Sequence, residues 1–348
     1  MGIKSLIQAE HEGNQAQINA VISDYHRILL EAPAGCGKTK TMVSKVAYVL
    51  ASGIVPANKK ILALTFSVNA AYKMKKDISE KLPQMGIDDI CSPANLNSRI
   101  SITNYHGFAR RVLKLYGYLL YSNISDVNMF VAYNEENVGE IEAAGIELSD
   151  ENQILLHSFS EAVKGCNSEK IEALFQKYYE LIINKFIPKS CITYNGYLVL
   201  CIKLLEDKQK LRDFYQLLYP YIMIDEFQDT NYLSWKLIKL LIYQDTKLFF
   251  MGDPLQRIYG FIGAIPNLLE IAKNEYSMIK IQLDKNYRFR NNPNMLLLDK
   301  NIRHNAENYL DPLIEENAKV KLALHDTQEQ EAINVSELIR SLLKSKED

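Results

Sequence analysis

The chain has 348 residues, 47% apolar and 24% charged, with a formal net charge of −2. A chain this long exceeds one compact core, so two or three domains are expected, and a near-neutral balance leaves no overall field to attract nucleic acid. No apolar run approaches the ~20 residues of a membrane span, and the opening "MGIKSLIQAEHEG" lacks the apolar core of a signal peptide, so a cytoplasmic protein without membrane contact is expected. The cysteines Cys36, Cys91, Cys166, Cys191 and Cys201 are odd in number and form no C-x-x-C. That fits reduced thiols, and neither a disulfide framework nor a zinc site.

In chain order, "RILLE" (27–31), "KILALTF" (60–66), "RISIT" (99–103), "YIMIDE" (221–226), "KLFFMGD" (247–253) and "IKIQL" (279–283) read as buried strands. Helix-length segments such as "TKTMVSKVAYVLAS" and "VNAAYKMKKDISEKL" separate most of them, which predicts a parallel sheet covered by helices. Reactive residues then belong at the carboxyl ends of the strands. From about Leu115 to Tyr219 the pattern turns helical, polar and rich in Asn and Glu, as in an insertion into the sheet domain. A further section opens near Met278 with a new strand. The expected layout is an α/β sheet domain over 1–114 and 220–277, a helical insertion over 115–219, and the incomplete start of a second α/β domain over 278–348.

After the first strand comes "APAGCGKT", a phosphate loop of the form G-x-x-x-x-G-K-[ST] with Ala32 at the first glycine. Small residues Ala34, Gly35 and Gly37 let backbone N–H groups turn towards phosphate oxygens, and the helix beginning at Lys38 aims its positive end at the same place. Lys38 would reach the outer phosphates, and the Thr39 hydroxyl would sit on Mg²⁺. In "YIMIDEFQDTN" an apolar strand runs into Asp225, placed to hold magnesium, and Glu226, placed to accept a proton from water. Gln256 in "GDPLQRIYGF" lies past another strand end, where it can sense a γ-phosphate. "LDKNYRFR" offers Tyr287 as a flat surface for a base and Arg288 as a cation for developing phosphate charge.

Together with "LTFSVNAAYKM" and "NYHGF", these segments resemble the successive motifs of the UvrD/Rep-like helicases of superfamily 1A. That family commonly has Ala where the general loop has its first Gly. The resemblance runs from Asn14 to about Leu343. It implies a P-loop NTPase of RecA-like fold with a helical insertion and a partial second RecA-like domain. It further implies ATP and Mg²⁺ as cofactors, single-stranded DNA as substrate and 3′-to-5′ movement. By the same resemblance Gln17 reads the adenine edge, and the loop Ala32, Pro33, Ala34, Gly35, Cys36, Gly37, Lys38, Thr39 and Lys40 surrounds the phosphates. Glu226 becomes the general base, Gln256 couples nucleotide to DNA, Tyr287 stacks on adenine and Arg288 stabilises the transition state. Phe66, Tyr259 and Phe261 match residues that contact DNA, and aromatic faces do stack on bases of any sequence.

Several positions depart from the pattern. Pro33 stiffens the loop, Lys40 replaces an arginine that packs on adenine, Val68 and Asn69 stand for Asn-Lys, and Ile262 replaces an arginine. The family's later motifs, including a second arginine for the γ-phosphate, have no counterpart before Asp348. Two expectations follow. One is a helicase or translocase whose activity is complete only with a second motor domain. The other is a non-translocating ATP- and DNA-binding module that works with a partner chain such as a nuclease. The process served, whether repair, replication or defence, stays open.

Overall fold

The computed structural model of the protein describes residues 2–85, 87, 93–308, 310 and 324–344, so Cys91 lies outside the described residues. Among these residues the chain divides into two compact units, Met1–Arg288 and Phe289–Asp348. The first unit is built on a six-stranded sheet of β1 (Arg27–Glu31), β2 (Ile61–Thr65), β3 (Ile100–Asn104), β6 (Tyr221–Ile224), β7 (Lys247–Gly252) and β8 (Ile279–Gln282), in the order β3-β2-β6-β7-β1-β8. Every pairing in it is parallel. The α/β expectation holds.

Alternation along each strand explains why the four central strands read as continuous apolar runs. Leu29, Leu62, Ile222, Ile224, Leu248 and Phe250 face one apolar cluster, while Ile28, Leu30, Ile61, Ala63, Met223, Phe249 and Met251 face a second on the other side. Both faces of the sheet are covered, so neither set can be polar. The second cluster packs under the helices Lys38–Ala51 and Val68–Gln84. The first packs under Tyr105–Tyr116, Tyr194–Asp207 and Tyr232–Leu241 and continues into the helices of the insertion, Asp150–Lys164 and Ser168–Leu181. Within that insertion β4 (Val131–Tyr133) and β5 (Cys191–Thr193) pair in parallel, a small sheet that the sequence did not announce.

One boundary differs from the expected layout. The strand thought to open a second domain at 278 is β8, which pairs with β1 over Ile28–Ile279 to Glu31–Gln282 and forms the edge of the first sheet. Its alternation gave no means of telling which sheet it would join. Lys280 on this edge is ion-paired with Glu31 at 2.7 Å, a charge suited to a half-exposed strand. The second unit holds the helices Pro293–Glu307 and Gln328–Lys344. No helix among the described residues is long and apolar enough to cross a membrane.

Candidate functional site

The carboxyl ends of β1, β6 and β7 open side by side, and the motif residues converge there. Past β1, the Ala32 N–H donates to the Gly252 carbonyl at the end of β7, so the loop starts anchored to its neighbour. Ala32 is fully buried, and a small residue is what this position requires. Gly35 and Gly37 both take positive φ, 81° and 84°. A Cβ on Gly35 would come within 2.6 Å of Asn286 Oδ1, and one on Gly37 within 2.4 Å of Gln17 Nε2. Conformation and crowding both demand glycine at these two places. Gly37 caps the helix Lys38–Ala51, whose free N–H groups face the loop.

Pro33, Ala34, Gly35, Gly37, Lys38, Thr39, Lys40, Glu226, Gln256, Tyr287 and Arg288 line one cleft of about 530 Å³. Lys38 is 9% exposed, and its Nζ lies 3.2 Å from Glu226 Oε2, yet it makes no aligned hydrogen bond among the described residues. A buried ammonium with one carboxylate neighbour and a glycine-shaped cradle of backbone beside it fits a polyanion. Thr39 is exposed at the helix start. Asp225 follows directly on β6; burial and then the adjacent Glu226 push its carboxyl up to about 6, against the opposing pull of Lys38 and the Glu226 N–H. Asp229 is pushed up to about 6 for the same two reasons. Carboxylates raised in this way favour a cation, so Thr39 and Asp225 fit Mg²⁺. Among the described residues no group of three or more His, Cys, Asp or Glu side chains is arranged to hold a metal ion, so the ion would rest on few protein ligands, as magnesium with nucleotide does.

Glu226 is held at φ 50°, a left-handed conformation unusual for a residue with a side chain. Its carboxylate accepts from Gln228 Nε2 at 2.9 Å, while Gln228 Oε1 accepts the Asp253 N–H at 3.1 Å. Asp253 in turn accepts from Gln256 Nε2 at 2.5 Å. An unbroken polar chain therefore joins Lys38 to Gln256 through Glu226, Gln228 and Asp253. The sequence singled out its two ends and Glu226; Gln228 and Asp253 were within the quoted motifs but carried no assigned role.

The end of the cleft at Tyr287 is built across a long sequence distance. Tyr287 N–H donates to the Gly35 carbonyl at 2.8 Å and Asn286 Nδ2 to the Ala34 carbonyl at 3.1 Å, which brings Tyr287 and Arg288 to the loop. Asn14 Nδ2 donates to the Tyr287 hydroxyl at 2.8 Å. Gln17 is 1% exposed and lies beneath the loop, with Nε2 donating to the Cys36 carbonyl at 3.2 Å. It is next to the cleft and does not line it. Cys36 is itself buried. Lys40 is held by the Glu10 carbonyl at 2.6 Å and carboxylate at 3.3 Å. Lys45, in the loop helix, is buried. Its Nζ donates to the Val21 carbonyl at 2.8 Å and so ties the end of the helix Gln15–Ile22, the helix of Gln17, to the loop helix. Burial, aided by Lys247 and opposed by Asp24, pushes Lys45 down to about 8.

The aromatic candidates also come together. Phe66 stacks on Tyr259 with centroids 4.3 Å apart, and Phe261 lies 6.1 Å from Tyr259. Phe261 is 72% exposed, so it is no core residue. The basic residues Arg110 and Arg111 are turned to the Asn128 carbonyl and the Ser101 hydroxyl.

The sequence profile of the UvrD/REP helicase N-terminal domain matches residues 13–277. The chain belongs to this helicase family. Among its relatives, a probable DNA helicase of Mycoplasma pneumoniae is 29% identical over 291 residues, covering 79% of this chain and 53% of that protein. The ATP-dependent DNA helicase PcrA of Bacillus subtilis is 27% identical over 297 residues, or 79% and 37% of the two chains. The ATP-dependent DNA helicase Rep of Salmonella typhimurium is 26% identical over 287 residues, or 79% and 41%. The chain thus spans about half or less of these UvrD/REP relatives. The match takes in both halves of the cleft except Tyr287 and Arg288, which follow its last residue.

Proposed function

We propose that this chain binds and hydrolyses ATP with Mg²⁺, coupled to single-stranded DNA, as the motor portion of a helicase or translocase. The 3′-to-5′ polarity rests on the family resemblance alone, and a cytoplasmic setting accompanies a DNA substrate. The observation that carries the reading is the buried, under-bonded Lys38 Nζ set against Glu226 in the glycine-shaped loop. ATP supplies the phosphoanhydride and Mg²⁺ the Lewis acid. Lys38, the loop N–H groups and Arg288 hold phosphate charge; Thr39 and Asp225 hold the cation. Glu226 accepts the proton of the attacking water, and Tyr287 and Gln17 serve the base.

Coupling to DNA would use the polar chain from Glu226 to Gln256. Gln256 stands three residues before Tyr259, so the loop that would feel the nucleotide carries Tyr259 and Phe261 as well, with Phe66 stacked on Tyr259 from the end of β2. Titration calorimetry with ATP·Mg²⁺ tests the reading on the chain itself. The parent should bind and Lys38→Ala should lose most of the affinity, because the triphosphate loses its buried point charge. Equal affinities would remove the phosphate site from this loop.

A further inference from the structure

His11 has no place in the chemistry above, yet it is among the most completely buried polar residues of the chain. It follows the helix Ile3–Glu10, its N–H donating to the Ile7 carbonyl at 3.1 Å, and it is 1% exposed. Its Nδ1 lies 2.8 Å from Gln17 Oε1. The protonation pattern follows from the partners. The Cys36 carbonyl can only accept, so it must receive the Gln17 Nε2–H, and the Gln17 oxygen is left facing His11. Nδ1 therefore carries the ring proton and donates. Burial lowers the imidazole's affinity for a second proton, with Lys40 and Lys81 acting in the same sense and Gln17 and Glu10 against it.

Gln17 has little freedom once so held. Its amide nitrogen would touch any Cβ placed on Gly37, and its oxygen also lies 3.4 Å from the Tyr287 hydroxyl, which Asn14 grips from the other side. Gln17 thus bridges three things: the buried ring of His11, a carbonyl of the phosphate loop, and the aromatic ring proposed to meet the base. Without the Nδ1–H, the oxygen of a buried amide would lose its well-placed donor and could shift from its place beside the Tyr287 hydroxyl, while the amide nitrogen keeps its acceptor on Cys36.

We infer that His11 is a positioning residue for the base end of the nucleotide site, holding Gln17, itself anchored on the Cys36 carbonyl, so that the ring of Tyr287 is set before ligand arrives. This rests on the ATP reading given above. It makes a claim which that reading does not: loss of His11 should weaken the hold on the base and leave the hold on the phosphates intact.

The experiment compares the parent, His11→Leu and His11→Asn for equilibrium binding of ATP·Mg²⁺ and of inorganic tripolyphosphate·Mg²⁺, with thermal melts of each. Leu fills the space without a donor, whereas the Asn amide nitrogen sits where Nδ1 was. We expect His11→Leu to bind ATP roughly 3- to 10-fold more weakly, the scale of one lost hydrogen bond, with tripolyphosphate unchanged. His11→Asn should bind ATP close to the parent. The proposal is overturned if His11→Leu binds ATP like the parent, if both ligands weaken in parallel, or if Asn fails as Leu does. Parallel loss with a lowered melting temperature would mark a histidine that only supports the fold. A parent that binds neither ligand would overturn the nucleotide reading and this proposal with it.

Discussion

Lys38 Nζ stands 3.2 Å from Glu226 Oε2, the only ion-pair partner it has among the described residues. The contact joins the end of the loop after β1 to the end of β6, so the cation proposed for phosphate and the carboxylate proposed as proton acceptor are held in one geometry. It also means that a ligand phosphate competes for Lys38 with a carboxylate that has a second hold on Gln228.

That competition separates two substitutions. Glu226→Gln removes the proton acceptor and the competing charge but keeps an oxygen for Gln228. ATP·Mg²⁺ should bind at least as tightly as to the parent, while turnover falls by roughly 10²-fold or more, the scale of a general base. Single-turnover hydrolysis in a chain with measurable activity checks this. Near-normal turnover in the variant would take Glu226 out of that role.

Asp225 gives a prediction in pH. Its pKa rises from an ordinary 3.8 to about 6 on folding, so the folded state favours the protonated form. The contribution of this group to stability is fully present below about pH 4 and is lost as pH rises through 6. Asp225→Asn carries no charge at any of these values. Without Mg²⁺ the variant should exceed the parent in stability above pH 6, by roughly 1–3 kcal/mol, and the difference should vanish near pH 4. Adding ATP·Mg²⁺ should reverse the order, because only the parent offers the ion a carboxylate. Thermal melts across pH 4 to 8 decide it; a parent that is the more stable above pH 6 without metal contradicts the assigned cause.

Gly263 ties the aromatic loop to the insertion. It takes φ 93°, and a Cβ there would meet the Val163 carbonyl oxygen at 2.2 Å and its carbon at 3.0 Å. Val163 is near the end of the helix Asp150–Lys164, and the obstacle is backbone, which cannot swing aside. Cys166 Sγ also donates to the Ala264 carbonyl at 3.3 Å, as does Arg257 Nη1 at 3.0 Å. Gly263→Ala should cost about 2 kcal/mol or more, from strain at positive φ and from the displaced loop. An unchanged denaturant midpoint would show that the two segments separate freely.

Much of the site could be read before the fold was known, for a physical reason. A strand buried on both faces must be apolar throughout, so "RILLE", "YIMIDE" and "KLFFMGD" declare both themselves and the polar residues at their ends. What was hidden depends on contacts across long stretches of chain. The hydrogen bonds from Asn14 to the Tyr287 hydroxyl and from that hydroxyl to the Gln17 oxygen span 273 and 270 positions and leave no local trace. Lys45 and His11 drew no notice in the sequence, because their burial depends on a neighbouring helix end and on Gln17. β4 and β5 are three residues each, too short for alternation to register. β8 was seen as a strand, but its pairing with β1 is a property of the sheet and not of the sequence "IKIQL".

The aromatic group yields the last prediction. Phe66 and Tyr259 stack on each other and are half-buried, so replacing either would disturb the pair as well as any DNA contact. Phe261 differs, because it is 72% exposed and its nearest ring centroid is 6.1 Å away at an angle of 45°. Removing its side chain takes little packing from the fold, so Phe261→Ala should leave the melting temperature nearly unchanged. If the ring is a stacking surface for bases, the same change should weaken single-stranded DNA binding by roughly 1–3 kcal/mol, with little dependence on sequence. The exposed Ile262 beside it offers no charge to compensate. With a net charge of −2 the chain has few counterions to displace, so the salt dependence of binding should be shallow. Fluorescence anisotropy with labelled oligonucleotides of differing sequence measures all of this at once. Unchanged affinity in Phe261→Ala would move the DNA contact away from this loop, and a lowered melting temperature would mean the exposed ring supports the fold after all.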